Sequence, residues 1–405
     1  MEGFILSRKL EERLKLLEEK YEKMFNEAEE LKNSPNGLGM IFLNNCFGGG
    51  KDINMYLNLI RDTNHNYITH AELPRFSDGS GKTIIKDSVR KKDLFIICDP
   101  IDYSKKMKFH GEDIPLSMDN HAMDIIRTVT ANKSHASRLT LVNPFLLYGR
   151  QHRRKGREGL DCAAFLRIIK DIGISNILSF DLHDPGLLNA IPFTSFENAY
   201  PTDYIIDDFL INEVVDLKNT VVIAPDGGAL GRAEHFADRF LYAETGSFHK
   251  KRNLLEIVEG QAPIEEHIYK GESVKDKTVI LVDDMISSGS SIINSMKKLK
   301  EAGAHNIYVF VSFSLFTSGV RAFQKCYEEG TLDKVYTTNL NYMSEEIKTM
   351  PWLHIVDCYE QMAKLINAYN RQNSLTPFLG GIPESVKTVE RVKTYIKEYS
   401  DRKMF

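Results

Sequence analysis

The chain has 405 residues, which is more than one hydrophobic core usually serves, so we expect two domains. Its hydrophobic content of 42% and charged content of 27% are ordinary for a globular protein, and the net charge of -4 gives no reason to expect nucleic acid as a partner. No apolar stretch reaches the roughly 20 residues that span a bilayer, so no membrane partner is expected. Five scattered cysteines without a Cys-x-x-Cys pair favour a reducing compartment, and we expect a cytoplasmic protein.

The first 36 residues carry a heptad stripe that NSPNG, at 33–37, brings to an end. Its apolar residues alternate spacings of four and three, and they are Leu10, Leu14, Leu17, Tyr21, Met24, Ala28 and Leu31. The pattern predicts an N-terminal amphipathic helix over 1–36. This helix either docks on its own domain or associates with a second copy of the chain.

Beyond the stripe, short apolar runs alternate with helical patterns. The runs that indicate strands are, in chain order, GMIFLN (39–44), DLFIIC (93–98), RLTLVN (138–143), NILSFD (176–181), TVVIAP (220–225), TVILVDD (278–284) and IYVFVSF (307–313). Most are continuous rather than alternating, which is typical of strands covered on both faces. The pattern predicts an α/β fold with two parallel sheets flanked by helices and with active groups at the carboxyl ends of the strands. The polar stretch 102–120 is expected to be a surface loop.

The strand TVILVDD ends in two acids, Asp283 and Asp284, and a hydroxyl-rich turn follows it. The small residues of that turn are Ser287, Ser288, Gly289, Ser290 and Ser291. Backbone N–H groups at the start of the next helix suit an anion, whereas paired carboxylates would repel a phosphate and suit the vicinal hydroxyls of a sugar. The stretch therefore indicates a pentose 5-phosphate site. Serines that only cap the helix are the alternative.

Two cationic segments suit phosphate groups. In YGRQHRRKGREG, at 148–159, five cations follow a strand directly, and they are Arg150, Arg153, Arg154, Lys155 and Arg157. Such density at a strand end suits a polyphosphate, although a solvated basic loop has the same composition. SFHKKRN places Lys250, Lys251 and Arg252 between two predicted elements. That segment is typical either of a mobile arm that closes over a transferring phosphoryl group or of an exposed basic turn.

Two further strand ends offer metal ligands. SFDLHDP places His183 just past the strand that ends at Asp181, and APDGGALGRA places Asp226 past the next strand. Together they suit Mg²⁺, which takes few protein ligands and fills its shell with water and phosphate oxygens. A structural role for the histidine is the alternative.

In order, from about residue 68 to 315, these segments resemble the ribose-phosphate pyrophosphokinase family, a group with the phosphoribosyltransferase fold. RFSDGSGKTIIKDSVRKKDLFII resembles its Phe-x-Asp-Gly-Glu region, which implies that Phe76, Asp78 and Ser80 lie in a hairpin that holds the adenine of ATP, partly across a subunit boundary. YGRQHRR resembles its Tyr-Ala-Arg-Gln-Asp stretch, which implies ATP contacts from Arg150 and Gln151.

The resemblance also assigns the other segments. DLH and PDGG resemble the family's metal positions, which implies Mg²⁺ at His183 and Asp226. HKKR matches its catalytic arm, which implies Lys250 as the key cation and Arg252 as a sugar-phosphate or ATP contact. VDDMISSGSS resembles its sugar-phosphate loop, which implies that the paired acids and the hydroxyl-rich turn bind ribose 5-phosphate.

Several departures from the family pattern mark a divergent branch. The family's Glu after Asp-Gly is Ser80, and its Asp after Arg-Gln is His152. The Asp-Thr opening of the phosphate loop is Ser287 and Ser288, which preserves hydrogen-bond donors but removes a negative charge. PDGG lacks the usual residue between the Asp and the glycines.

The resemblance implies transfer of diphosphate from ATP to the anomeric hydroxyl of ribose 5-phosphate, in a homo-oligomer. The expected domains are an N-terminal helical extension (1–36), a phosphoribosyltransferase-like domain on the ATP side (37–190), a second one on the ribose 5-phosphate side (191–370) and a C-terminal helical tail (371–405). Two alternatives stay open. A phosphoribosyltransferase that consumes phosphoribosyl pyrophosphate would not need the YGRQHRR loop or the FSDG hairpin. A non-catalytic regulatory relative is favoured slightly by Ser80 and His152.

Overall fold

The computed structural model describes residues 37–132, 135–154, 156–240, 243–252, 264–380, 388 and 390–398. The amphipathic helix expected over 1–36 lies outside the described residues. In the described part of the chain, no helix combines the length and the apolar character needed to cross a membrane.

The strands in these residues are β1 (Gly37–Phe42), β2 (Ala71–Glu72), β3 (Ile84–Ile85), β4 (Lys92–Ile97), β5 (Lys106–Phe109), β6 (Glu112–Pro115), β7 (Arg138–Val142), β8 (Asn176–Phe180), β9 (Ser195–Ala199), β10 (Thr220–Ala224), β11 (Glu244–Arg252), β12 (Ile264–Gly271), β13 (Thr278–Ile286), β14 (Asn306–Ser314), β15 (Lys334–Thr338) and β16 (Leu353–Val356).

The helices are α1 (Lys51–Arg61), α2 (Met118–Asn132), α3 (Asp161–Asp171), α4 (Thr202–Asn212), α5 (Leu230–Phe240), α6 (Ser290–Glu301), α7 (Arg321–Glu328), α8 (Glu345–Lys348), α9 (Tyr359–Asn370) and, at 390–398, α10.

The first sheet has the order β1-β4-β7-β8-β9, and all its neighbours are parallel. Its central strands are buried almost throughout, as continuous apolar runs predict. β9 lies beyond residue 190, where the sequence analysis put the domain boundary, yet it pairs with β8. We therefore propose that the first domain extends to the end of β9.

The second sheet has the order β12-β11-β10-β13-β14-β15-β16. Its pairs are parallel except for β11 with β12, which form an antiparallel hairpin at one edge. All seven predicted strands are present in the two sheets, and the predicted α/β class with helices flanking parallel sheets is confirmed.

The two domains share one hydrophobic core, which contains Phe180 from the first sheet and Phe310 from the second. α9 returns to the first domain and packs on α1, where Arg61 donates to the side-chain oxygen of Asn367 at 2.8 Å and to that of Asn370 at 2.7 Å. These contacts hold the two sheets in a fixed relation, so that side chains from both can form one site.

The stretch 102–120, expected to be a surface loop, contains the β5–β6 hairpin and the start of α2. His110 and Gly111 form its turn, with φ of 48° and 90°. Positive φ at both turn residues matches the twist of paired strands, which is why this polar segment folds into a hairpin.

Part of the expected C-terminal helical tail is helical in the described residues, at α10, while Thr376–Phe378 form a short 3-10 turn. Tyr395 in α10 accepts a hydrogen bond from the backbone N–H of Val215 at 2.7 Å and donates one to the carbonyl oxygen of Glu213 at 2.9 Å. The phenol thus attaches this helix to the chain just after α4.

Candidate active site

Strand ends from both sheets meet at a cleft of about 820 Å³. The segment after β7, the segment after β8, the turn after β10 and the end of β13 all contribute to it. The predicted site residues that line the cleft are Arg150, His183, Asp226, Asp283, Asp284, Ser287, Ser288, Gly289, Ser290 and Ser291. Residues separated by long stretches of sequence are therefore brought together as the strand-end argument predicted.

The hydroxyl-rich turn leads from β13 into α6. Gly289 occupies the N-cap position with φ of 80°, so no side chain caps the start of the helix. A Cβ atom at this position would lie 2.4 Å from the ring of Phe323. The turn therefore needs a glycine here, and the capping alternative considered for the serines does not describe the N-cap of α6.

The paired acids lie inside β13, which continues to Ile286, and not at its end. His183 Nδ1 is 2.7 Å from Asp284 Oδ2. Burial acts to raise the pKa of Asp284, but His183 and Arg232 outweigh it, and the pKa is lowered. Burial and the negative charge of Asp284 raise the pKa of Asp283 well above its ordinary value, while Arg232 opposes the rise. One acid of the pair is thus held ionised, and the other takes up a proton more readily.

Arg232 is a residue that sequence reasoning missed. Its Nε and Nη2 donate to Asp181 Oδ1 at 2.9 and 2.8 Å, and Ser312 donates to Asp181 Oδ2 at 2.5 Å. Burial lowers the pKa of Arg232, but the charges of Asp181 and Asp284 outweigh it and raise the pKa. Arg232 therefore places a permanent cation close to the paired acids. The sequence feature that could have indicated Arg232 is its position as a single arginine near the start of the helix that follows PDGG.

The cationic loop of the first domain contacts the hydroxyl-rich turn of the second. Arg150 Nη1 donates to Ser287 Oγ at 3.2 Å, and Arg150 is otherwise exposed. Ser287 is one of the positions at which the family pattern has an acid. The two segments that sequence reasoning assigned to different phosphate groups therefore lie side by side.

His152, the other departure in this loop, lies beside the candidate metal ligand. Its ring centroid is 5.3 Å from that of His183. Its Nε2 is 3.2 Å from Asp184 Oδ2, which also accepts a hydrogen bond from Arg153 at 3.0 Å. The backbone N–H of Gly186 is the main cause of the lowered pKa of Asp184, and burial opposes it. His152 and Arg153 thus share one carboxylate at the rim of the cleft.

The candidate metal ligands His183 and Asp226 both face the cleft. Because Nδ1 of His183 points to Asp284, its Nε2 is the nitrogen available for a metal, an arrangement common among histidine ligands. Asp226 Oδ1 accepts from the backbone N–H of Gly228 at 3.0 Å. Among the described residues no three His, Cys, Asp or Glu side chains form a metal-binding group. The pair fits a cation whose shell is completed by water and substrate oxygens, as that of Mg²⁺ is.

The candidate ATP hairpin is the tight turn 75–81. The backbone N–H of Phe76 donates to the carbonyl oxygen of Ser80 at 2.9 Å, and Asp78 Oδ1 accepts from the backbone N–H and hydroxyl of Ser80 at 2.9 and 2.6 Å. These two bonds lower the pKa of Asp78. Phe76 is 51% exposed. The residues described as lining the cleft include neither this turn nor Gln151, so the single chain does not bring them to it.

Lys250 and Arg252 lie on β11, in the edge hairpin with β12. Lys250 is opposite His267 and Arg252 is opposite Ile264, with a register shift after Lys251. β11 pairs with β10 only as far as Ser247, so the hairpin projects beyond the sheet. The catalytic roles of Lys250 and Arg252 stay predictions.

Two parallel sheets flanked by helices, with a strand that carries paired acids into a hydroxyl-rich turn and a helix, define a protein of the phosphoribosyltransferase type. A family model described as the N-terminal domain of ribose phosphate pyrophosphokinase matches residues 49–173, and one described as the phosphoribosyl transferase domain matches residues 205–333. The chain belongs to the ribose-phosphate pyrophosphokinase family.

Individual relatives support this assignment. The chain is 27% identical over 312 residues to a ribose-phosphate pyrophosphokinase of Haemophilus influenzae, which covers 76% of this chain and 90% of that one. It is 26% identical over 313 residues to the protein of the same name from Haemophilus ducreyi, with coverage of 76% and 90%. The fold is similar to that of phosphoribosylpyrophosphate synthetase from Mycobacterium smegmatis, with a TM-score of 0.67, 21% identity, and coverage of 83% of this chain and 99% of that one.

Proposed function

We propose that this protein transfers diphosphate from ATP, with Mg²⁺, to the anomeric hydroxyl of ribose 5-phosphate, giving 5-phosphoribosyl 1-diphosphate and AMP. The observation that carries the proposal is the 3.2 Å hydrogen bond between Arg150 and Ser287. The contact brings the cationic loop to the cleft that the paired acids and the hydroxyl-rich turn also line, so a polyphosphate and a sugar phosphate would share one cleft, as a transfer between them requires.

The turn and the paired acids support a pentose 5-phosphate. The start of α6 offers backbone N–H groups for the phosphate, and Gly289 lets the backbone approach it closely. Asp284, held ionised by His183, accepts hydrogen bonds from sugar hydroxyls. Asp283, whose pKa is raised, can also donate one when it is protonated. A pair of this kind suits a vicinal diol, whose hydroxyls both donate and accept.

His183 and Asp226 would hold Mg²⁺, whose chemistry is to gather phosphate oxygens and neutralise their charge. Asp284 fixes the orientation of the His183 ring through the 2.7 Å contact at Nδ1. One carboxylate therefore serves both the sugar and the metal ligand.

We place ATP between subunits of a homo-oligomer. Arg150 reaches the cleft of its own chain, whereas Phe76, Asp78, Ser80 and Gln151 are not among the residues that line it. An exposed turn that carries the half-exposed ring of Phe76 can complete the site of a neighbouring copy, where the ring would stack on the adenine.

In the reaction, the anomeric oxygen forms a bond to the β-phosphorus as the bond between that phosphorus and the α–β bridging oxygen breaks. AMP departs with the bridging oxygen, and the hydroxyl proton passes to solvent. The protein contributes mainly orientation and charge neutralisation. Lys250 and Arg252, on the projecting hairpin, neutralise charge on the transferring group.

The alternatives are weaker. A phosphoribosyltransferase would use the sugar-phosphate turn but has no use for a cationic loop bonded to it, so the Arg150–Ser287 contact favours the pyrophosphokinase. A non-catalytic regulator would be consistent with Ser80 and His152, but the retained metal and arm residues argue against it. The described cysteines are free and buried, which supports a reducing, cytoplasmic location.

The decisive experiment incubates purified protein with ATP, ribose 5-phosphate and Mg²⁺ and measures AMP. AMP formation that depends on ribose 5-phosphate supports the proposal. Nucleotide binding without AMP favours the regulator, and pyrophosphate release from phosphoribosyl pyrophosphate with a base favours the transferase.

The catalytic role of Lys250, on the β11–β12 hairpin, is tested with Lys250→Ala. Removing one preorganised electrostatic partner raises a barrier by about 2.7–4 kcal/mol, so we expect turnover to fall about 100-fold or more. Lys270→Ala, at an exposed lysine on β12 of the same hairpin, is the matched control and should retain turnover. Equal rates for the two variants would remove Lys250 from the mechanism.

A further inference from the structure

The β5–β6 hairpin is a compact unit that stands beside the candidate ATP turn, 75–81. Met107 on one strand pairs directly with Ile114 on the other, and both are partly buried. The backbone N–H of Leu116 donates to the carbonyl oxygen of Lys105 at 2.8 Å and closes the base of the hairpin. These contacts pair the two strands along the length of the hairpin.

Its contact with the turn is made by Phe109, at the end of β5. Gly79, at the tip of the turn, has φ of +83°, and a Cβ atom there would lie 3.0 Å from Phe109 Cδ2 and 3.1 Å from Cε2. The ring thus packs directly against the Gly79 backbone, and a side chain at this position would push the ring away by a few tenths of an ångström. Phe109 is still 38% exposed, and its ring meets that of His110 edge-on with 4.5 Å between centroids.

The other end of the turn is attached to α2. Arg75 donates to Asp124 through both terminal nitrogens, at 2.6 Å for Nη1 to Oδ1, and Arg127 donates to the same oxygen at 3.2 Å. The Asp124 side chain is fully buried, so this attachment is a desolvated ion pair. Gly81 lies against both guanidinium groups, and a Cβ atom there would meet them at 2.2 and 2.6 Å.

The turn is therefore fixed at its base by an ion pair and at its tip by one aromatic ring. The two residues that flank Gly79 are Asp78 and Ser80, which bond to each other. Any shift of Gly79 moves both of them, so the position of the Phe109 ring controls the shape in which the turn presents its side chains.

We propose that Phe109 is a positioning residue for the nucleotide donor: it holds the 75–81 turn in the shape that binds ATP. This inference rests on the proposed function, because it takes the turn to be the adenine-nucleotide contact. Phe109 acts through Gly79 and touches no reacting atom. Its loss weakens binding of the donor, while binding of ribose 5-phosphate and the turnover of the saturated enzyme are retained.

The test compares Phe109→Ala, Phe109→Tyr and Gly79→Ala with the unaltered full-length protein. Phe109→Ala is expected to raise KM for ATP about fivefold, the size of one lost aromatic contact, with KM for ribose 5-phosphate and kcat unchanged. Phe109→Tyr keeps the ring and should restore KM for ATP. Gly79→Ala forces a Cβ atom against the ring and should also raise KM for ATP. Phe193→Ala, at a phenylalanine that is 95% exposed, is the control and should change nothing.

An unchanged KM for ATP in Phe109→Ala overturns the proposal, and so does an equal rise in KM for both substrates, which would indicate a general loss of structure. The assay of the unaltered protein keeps this outcome separate from failure of the proposed function. If that protein forms no AMP, the dissociation constant of ATP, measured by calorimetry on the same variants, takes the place of KM with the same expected ratio. A protein that does not bind ATP at all overturns both.

Discussion

The buried ion pair between Arg232 and Asp181, close to the paired acids, is expected to stabilise the folded site. Arg232 is 13% exposed in its side chain and Asp181 is 4% exposed, and two guanidinium nitrogens donate to the carboxylate at 2.8–3.2 Å. Arg232→Gln would leave a buried carboxylate with the Ser312 hydroxyl as its remaining side-chain donor among the described residues. Breaking a buried pair by removing one partner lowers the free energy of unfolding by about 3–5 kcal/mol, and we expect a loss in that range.

A double-mutant cycle separates the interaction energy of Arg232 and Asp181 from the effect of each substitution alone. Asp181→Asn removes the charge that Arg232 compensates, so Arg232→Gln in that background should lower the free energy of unfolding much less than it does alone. We expect a coupling energy of about 2–3 kcal/mol, measured by urea denaturation with circular dichroism. The exposed pair of Lys348 and Glu345, with side chains 41% and 87% exposed, is the control and should couple by less than about 1 kcal/mol. Additive losses at Arg232 and Asp181 would refute the reasoning.

Two other predictions concern stability. Burial raises the pKa of Asp99 from 3.8 to about 7, so the contribution of Asp99 to the free energy of unfolding is greatest below pH 3.8 and falls by about 1.4 kcal/mol per pH unit up to about pH 7. In urea titrations at several pH values, Asp99→Asn should remove this slope, and the control Asp113→Asn, on exposed β6, should keep it. An unchanged slope in Asp99→Asn would contradict the assignment. Gly289→Ala places a Cβ atom at positive φ against Phe323 and should lower the free energy of unfolding by about 2 kcal/mol and raise KM for ribose 5-phosphate. Gly231→Ala, in open space at the start of α5, should be neutral or stabilising in the same denaturation and kinetic measurements, and equal behaviour of the two glycine variants would contradict the packing argument.

The sheets were accessible from the sequence because both their faces are covered. A strand such as β4 has apolar neighbours on each side, so its residues form one continuous apolar run, and the run alone marks the strand. β11 and β12 form a hairpin and carry no such run, because most of their residues are polar or charged. β15 and β16 are short, with five and four residues. Short or polar strands owe more to their pairing partners than to their own composition, which is why the pattern left them out.

The site residues were accessible because parallel strands collect their following segments at one edge. His183 and Asp284 lie 101 residues apart, and no spacing rule relates them, yet the strand-end argument brought both to one cleft. The strand-end argument did not find Arg232, because the role of Arg232 depends on the Asp181 carboxylate of the other domain. The sequence shows neither which helix start faces which strand end nor that Phe109 reaches Gly79. These contacts depend on the packing of two domains and on a hairpin whose turn is set by backbone angles.

The Arg150–Ser287 contact suggests what one departure from the family pattern does. An aspartate at position 287 would form an ion pair with the guanidinium, and a charged partner holds it more strongly than a hydroxyl does. The serine accepts a hydrogen bond from one N–H but brings no negative charge to the guanidinium. A phosphate that binds Arg150 therefore displaces a weaker partner than an aspartate would be. His152 acts in the same direction, because it removes a carboxylate from the cationic loop that carries Arg150. Both changes remove negative charge from the two segments that meet at the Arg150–Ser287 contact, and they leave the paired acids Asp283 and Asp284 in place. We infer that the two changes strengthen the binding of a polyphosphate at this contact.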